Sequence, residues 1–180
     1  MPAFDVAHDL IDQLDWHWNY HLRPRLDGLT DAEYFWEPVD GCWSIRLSGN
    51  RFVQEGKPMR VAERAPFTTI AWRLAHVAGG VLGWRVAAHF ERSASTQAEY
   101  LSTVEWPGTA DDALAFLDDQ YGRWQSGVSS LDAPAFDAPC GAAEGPFADA
   151  PFGALVLHIN REVIHHGAEI LTLRDLYAAQ

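Results

Sequence analysis

Only two cysteines, Cys42 and Cys140, occur in the 180 residues, far apart and with no Cys-x-x-Cys pair. Neither a disulfide framework nor a thiolate zinc site is indicated. Basic residues are scarce: 13 Lys and Arg against 25 Asp and Glu leave a formal charge of -12 and a pI near 4.9. Nonspecific nucleic-acid binding needs clustered cations, so the charge speaks against a nucleic-acid partner. No run approaches the roughly 18 apolar residues of a membrane span. The start, Met1-Pro2-Ala3-Phe4-Asp5, shows no basic region followed by an apolar one. The expectation is a cytoplasmic protein with no membrane partner. Internal repeats, low-complexity tracts and convincing alternating strands are missing too.

A chain of this length can bury about two-thirds of its surface in one core, so one domain over residues 1–180 is expected. Eight Trp is a high count, and side chains of that size either thicken a core or line a pocket. The periodicity predicts four long amphipathic helices. The first spans about Phe4 to Leu26, with Val6, Leu10, Leu14, His17 and His21 on one stripe and Ile11, Trp18 and Leu22 on another. The second runs from a Thr68 or Thr69 cap to about Arg92, its core face marked by Ile70, Leu74, Val77, Val81, Trp84 and Ala88. The third follows the Thr109-x-x-Asp112 capping pattern and carries Leu114, Leu117, Tyr121, Trp124 and Val128.

The last helix covers Ala150 to Leu176, with Asp149 as its expected cap and Pro151 in its first turn. A capping box at Thr30 to Glu33 predicts a short helical turn before Pro38. From Leu47 to Pro66 no period is evident, and a long irregular loop between the first two helices is expected. Four helices joined by unequal loops make an all-α four-helix bundle, the architecture that builds metal sites from core positions on facing helices.

The last helix holds the chemistry. Val156, Ile159, Val163, His166, Ile170, Leu173 and Tyr177 repeat at steps of three and four, which is a core stripe. His166 lies in the stripe and Glu162 about 40° beside it, where a carboxylate needs a neutralising partner. His76 on the second helix supplies a third ligand, with Gly79, Gly80 and Gly83 leaving space and Trp72 or Trp84 lining it. Two imidazoles and a carboxylate suit zinc, nickel or iron, and three protein ligands leave coordination positions open for water or a small-molecule substrate. The plainer alternative pairs Glu162 with Arg73 or Arg85, or satisfies each histidine by ordinary hydrogen bonds.

His17 and His21 form a rival His-x-x-x-His pair, able to ligate or to act as acid and base beside a metal held elsewhere. His158 and His165 fall nearer the solvent boundary, and His8 and His89 are expected at the surface. Arg23 and Arg25 read as solvated helix-end charges, with recognition of an anion at the bundle mouth as the alternative. Tyr34, Phe35 and Trp36 form an aromatic set that could be a dimer contact or a lid.

Three segments, Gly41-Cys42-Trp43-Ser44-Ile45, Leu74-Ala75-His76-Val77 and Val163 to Ile170 with its His165-His166-Gly167, resemble the DinB-like superfamily. That superfamily includes thiol-dependent metalloenzymes of the mycothiol maleylpyruvate isomerase and bacillithiol transferase kind. The resemblance spans most of the chain. It implies a four-helix bundle, often a homodimer, in which one histidine of the second helix and a His-x-x-x-His pair of the last hold a divalent metal. His76 matches the first ligand and His166 the last, while Glu162 stands where the middle histidine would be. The activity it implies is transfer or isomerisation assisted by a low-molecular-weight thiol; within such a mechanism His17 or His21 of the first helix is the candidate proton carrier. A non-catalytic binding or stress-response module and a metal-dependent hydrolase are the alternatives.

Overall fold

A computed structural model describes residues 5–56 and 66–180. The first long helix, α1, runs Val6–His17 and continues through a π-helical turn, Trp18–Leu22, and a 3-10 turn, Arg23–Leu26. Asp5 caps it by accepting from the His8 backbone N–H, and Gly28 at φ 73 follows its end. A short helix α2, Asp31–Tyr34, carries the expected Thr30 cap. Helix α3 spans Ile70–Ala75 and passes into two π-helical stretches, His76–Gly83 and Val86–Glu91. After α4, Gln97–Thr103, and α5, Ala110–Ser129, come a short α6, Ala133–Asp137, a 3-10 segment, Ala142–Phe147, and the last helix, α7, Phe152–Ala178.

The long helices α1, α3, α5 and α7 pack into a bundle, with α3 against both α5 and α7 and α1 against α7. Helix α3 is the central member. From Val77 to Trp84 every residue is buried, so it has no solvent face over that stretch. The stripe read from sequence is in the core from Ile70 to Trp84, with Ala88 at its margin, and over Val77 to Trp84 so is the rest of the helix circumference. Small residues make this possible: a methyl group added at Gly79 would stand 2.8 Å from the Trp106 ring, and one at Gly83 would stand 2.0 Å from the Tyr100 hydroxyl. The space those glycines leave is therefore taken by Trp106 and by Tyr100 of α4, whereas only Gly80 borders His76. On α7, Val156, Ile159, Val163, Ile170 and Leu173 are buried as the periodicity predicts, each fully buried aliphatic side chain contributing about 1.5–3 kcal/mol.

Several local expectations are corrected. The segment from Leu47 is not wholly irregular: Ile45–Ser48 (β1) and Arg51–Gln54 (β2) pair antiparallel, Ser48 opposite Arg51, around Gly49 at φ 64. Gly49-Asn50 is a two-residue hairpin signal, and the strands are short with one mostly exposed face, which weakened the alternation in sequence. Residues 57–65 of that expected loop lie outside the described residues.

Asp149 does not cap the last helix. Pro151 holds the cap position in extended backbone, bridged to Pro139, and the Phe152 N–H donates to the Ala138 carbonyl at 2.8 Å. A neighbouring strand-like segment thus does what a side-chain cap would have done. Tyr34 is fully buried and donates to the Pro107 carbonyl, while Trp36 packs edge-on to Tyr177. The aromatic trio belongs to the core and its margin. Arg23 is clasped by Asp118 of α5 and Asp27, and Arg25 by Asp175 of α7. Both arginines tie the end of α1 to its neighbours. No helix among the described residues is long and apolar enough to cross a membrane.

Candidate metal centre

The site begins with the cap of α3. Trp43 forms a parallel bridge with Thr68, the Thr69 N–H donates to the Trp43 carbonyl, and the buried Ser44 hydroxyl meets the Thr69 hydroxyl at 2.9 Å. Thr69 in turn accepts from the Trp72 N–H as the helix cap. The Gly41-to-Ile45 motif therefore anchors the start of α3, two turns before His76. Trp72 is itself held by donation from its indole N–H to the Glu55 carbonyl at 2.6 Å, and its ring lies nearly parallel to the His76 imidazole, centroids 5.2 Å apart. His76 is fixed in orientation by what stacks on it.

Helix α7 brings Glu162 and His166 to the same place. His166 Nε2 is 3.3 Å and His76 Nε2 4.0 Å from Glu162 Oε2, and the two imidazoles meet edge to face. One ligand atom from each of the three residues falls within 4.8 Å of the others. Donors held about 2.0–2.2 Å from one tetrahedral ion stand roughly 3.4 Å apart, so the Glu162–His166 pair already has such a spacing and His76 needs only a small inward shift.

The unfilled valences fit as well. His166 Nδ1 is 2.6 Å from Glu169 Oε2. A carboxylate only accepts, so the proton sits on Nδ1 and the Nε2 lone pair is turned to the cluster, the usual outer-shell device for a ligating histidine. Arg73 Nη1, 3.0 Å from the same Glu169 oxygen, neutralises that carboxylate. Its 3.1 Å approach to His166 Nδ1 is then a consequence of sharing Glu169 and not a second hydrogen bond.

Burial, with the nearby His166 and Arg73 charges, pushes His76 down to about 4 against the opposing pull of Glu162 and Glu169, which leaves the neutral imidazole that ligates metals. Burial acts to raise Glu162, but His158, His166 and Arg161 outweigh it and hold the carboxyl below its ordinary value. The donor set is the imidazoles of His76 and His166 and the Glu162 carboxylate.

Neither arginine proposed as a partner for Glu162 serves it: Arg73 goes to Glu169 and Arg85 to Glu144. Its second oxygen, Oε1, faces Arg161 at 3.4 Å and His158 at 3.6 Å instead. His17 and His21 stand on α1 outside this cluster. His21 is exposed, its ring tilted against Trp16 and stacked on His17, whereas His17 lies against Gly167 with its Nε2 buried and without a hydrogen-bond partner among the described residues. His165 is exposed beside Glu169, and His8 is at the surface, as expected.

His89 is not at the surface. Its side chain is 9% exposed and shares the buried Glu144 carboxylate with Arg85. Sequence reading also passed over Glu169, although its spacing of three from His166 on a helix was a usable signal.

A helical bundle with two imidazoles and a carboxylate converging from its central and last helices is the class of protein defined so far. The family model of the DinB superfamily matches residues 13–170, and the chain belongs to that superfamily. No curated protein and no solved structure matches it.

Proposed function

We propose that this chain is a divalent-metal-binding member of its superfamily that acts on a small molecule, as a thiol-dependent transferase or isomerase. The observation that carries the reading is the convergence of His76 and His166 Nε2 on one oxygen of Glu162, with His166 oriented by Glu169. His76, Glu162 and His166 hold zinc, nickel or iron, and the ion when bound supplies the Lewis acidity that lets a low-molecular-weight thiol exist as thiolate at neutral pH.

The protein's own part is to hold and orient. Trp72 covers one face of His76, Glu169 accepts from the outer nitrogen of His166 and so turns its Nε2 to the cluster, and Glu162 contributes the negative charge of the set. Of the two α1 histidines, His17 is the better candidate proton carrier, because its buried Nε2 is without a partner among the described residues whereas His21 lies in solvent.

The test is metal content by mass spectrometry on protein made without a histidine tag, wild type beside His166→Ala. Near-stoichiometric zinc, nickel or iron that disappears in the variant supports the site and justifies assays with mycothiol, bacillithiol and glutathione, whose omission separates thiol transfer from simple hydrolysis. Wild-type protein that takes up no metal from excess divalent ions refutes the reading. A second reading is favoured by the contacts of Glu162 with Arg161 and His158: the carboxylate is neutralised within the protein, and the bundle is a non-catalytic binding module. That reading expects a melting temperature unchanged by chelator, whereas an ion bound only to the folded state raises it.

A further inference from the structure

A cleft of about 370 Å³ opens beside the metal cluster, between α7, the Arg85 end of α3 and the 3-10 segment that precedes α7. An engineered cavity of about 150 Å³ accommodates benzene, so this cleft has room for an aromatic ring and a short substituent. Its walls differ from end to end. Cys140, Phe147, Ala150, Ala154 and Leu155 make an apolar wall, and Phe147 is 70% exposed with nothing packed over it. His158 and Arg161 make the polar end. They are also the two residues that touch Glu162 Oε1, so the cleft ends at the back of the carboxylate whose other oxygen faces the imidazoles.

Charge selects the occupant. Arg85 and Glu144 line the cleft as a mutually satisfied pair, the guanidinium donating from Nε and Nη2 to the two carboxylate oxygens at 3.1 Å. They cancel, and Arg161, which holds Glu162 by one long contact, is the cation of the cleft with donors left for an anion. Its contact to Glu162 is 3.4 Å long, its Nη2 also meets His158 Nδ1, and its side chain is 69% exposed at the cleft mouth.

We infer that the cleft binds a small apolar monoanion, a carboxylate on an aryl or short hydrocarbon body, with the carboxylate at Arg161 and His158 and the body against Ala154, Leu155 and Phe147. The inference deepens the function proposed above and rests on it for the cleft's role as a substrate seat. The binding itself requires no metal. The carboxylate end of the ligand then lies at the two side chains that contact Glu162 Oε1, the end of the cleft nearest the cluster.

The experiment is calorimetric titration of 3-phenylpropionate, and of its neutral amide, into metal-free and metal-loaded protein, with metal content read on the same samples. The expected result is saturable binding of the carboxylate in both states, about fivefold tighter than the amide, the upper end for an exposed ion pair. Arg161→Gln removes that preference and leaves the amide unaffected. Ala154→Phe, at an exposed position where added bulk does not disturb the core, abolishes binding of both without lowering the melting temperature. Equal affinity for acid and amide, binding that survives Ala154→Phe, or no binding of either overturns the inference. Probe binding by a protein that takes up no metal leaves the cleft standing and refutes only the metal reading; metal uptake without probe binding does the reverse.

Discussion

Replacing Glu144 by glutamine removes a buried negative charge while keeping the side chain's shape, and its cost can be worked from the structure. The Glu144 side chain is 8% exposed and receives two hydrogen bonds from Arg85 and one from His89 at 3.0 Å. Burial acts to raise its pKa, but the bonds from His89 and Arg85 win and bring it from 4.5 to about 2. At about 1.4 kcal/mol per unit, the ionised form stabilises the fold by roughly 3 kcal/mol at pH 7.

The sign follows from a folded-state value below the unfolded one: the stabilisation is complete above the unfolded pKa, near 4.5, and is lost as pH falls towards 2. By the same linkage about 1.4 kcal/mol remains at pH 3. Glu144→Gln is therefore expected to lower stability by about 3 kcal/mol at pH 7, a fall of roughly 6–12 °C in melting temperature for a chain of this size, and by less than half that at pH 3. Urea unfolding followed by circular dichroism at pH 7, 5 and 3 reads both numbers. A variant within about 1 kcal/mol of wild type at pH 7, or a deficit that is the same at all three pH values, would refute the argument.

Two further outcomes follow from the packing and from the outer shell of the metal cluster. Gly83→Ala normally would stabilise a helix by about 0.5–1 kcal/mol, but here the new methyl group meets the Tyr100 hydroxyl at 2.0 Å and the Ala78 carbonyl oxygen at 2.9 Å. A net loss of about 1–3 kcal/mol is expected, and a melting temperature at or above wild type would show that α4 yields freely. Glu169→Gln removes the charged acceptor of the His166 Nδ1 proton. It is expected to weaken metal binding at least about tenfold in competition with a chromogenic chelator, without changing the stoichiometry; unaltered affinity would mean that His166 is oriented by other contacts.

Much of the bundle was legible because its helices obey their period where one face is buried. The stripe on α7 and the Thr109 cap of α5 are as the spacing predicts. The candidate cluster was half legible in the same way: Glu162 and His166 are one turn apart on one helix, and only the meeting with His76 required the tertiary fold. Helix α3 was harder, since glycine and alanine allow it to be buried all round and π-helical turns replace the regular 3.6-residue repeat that a face count assumes. The hairpin and α4 were written in short signals, Gly49-Asn50 and the Thr96-x-x-Glu99 cap, which long-window periodicity averages away. The Arg85–Glu144–His89 network left no trace at all: its members are 55 and 59 residues apart, and nothing local says that a glutamate in a loop of glycine, proline and alanine will be buried.

Glu162 has two faces, one oxygen towards His76 and His166 and the other towards Arg161 and His158. A carboxylate shared in this way is a point of thermodynamic exchange. An ion drawing charge towards the first oxygen loosens the hold of the second on Arg161, and an anion that engages Arg161 returns the carboxylate to the ion. With the proposed ion and the inferred anion both bound, the two events would form a heterotropic pair, and reciprocity demands that each alter the other's dissociation constant by the same factor.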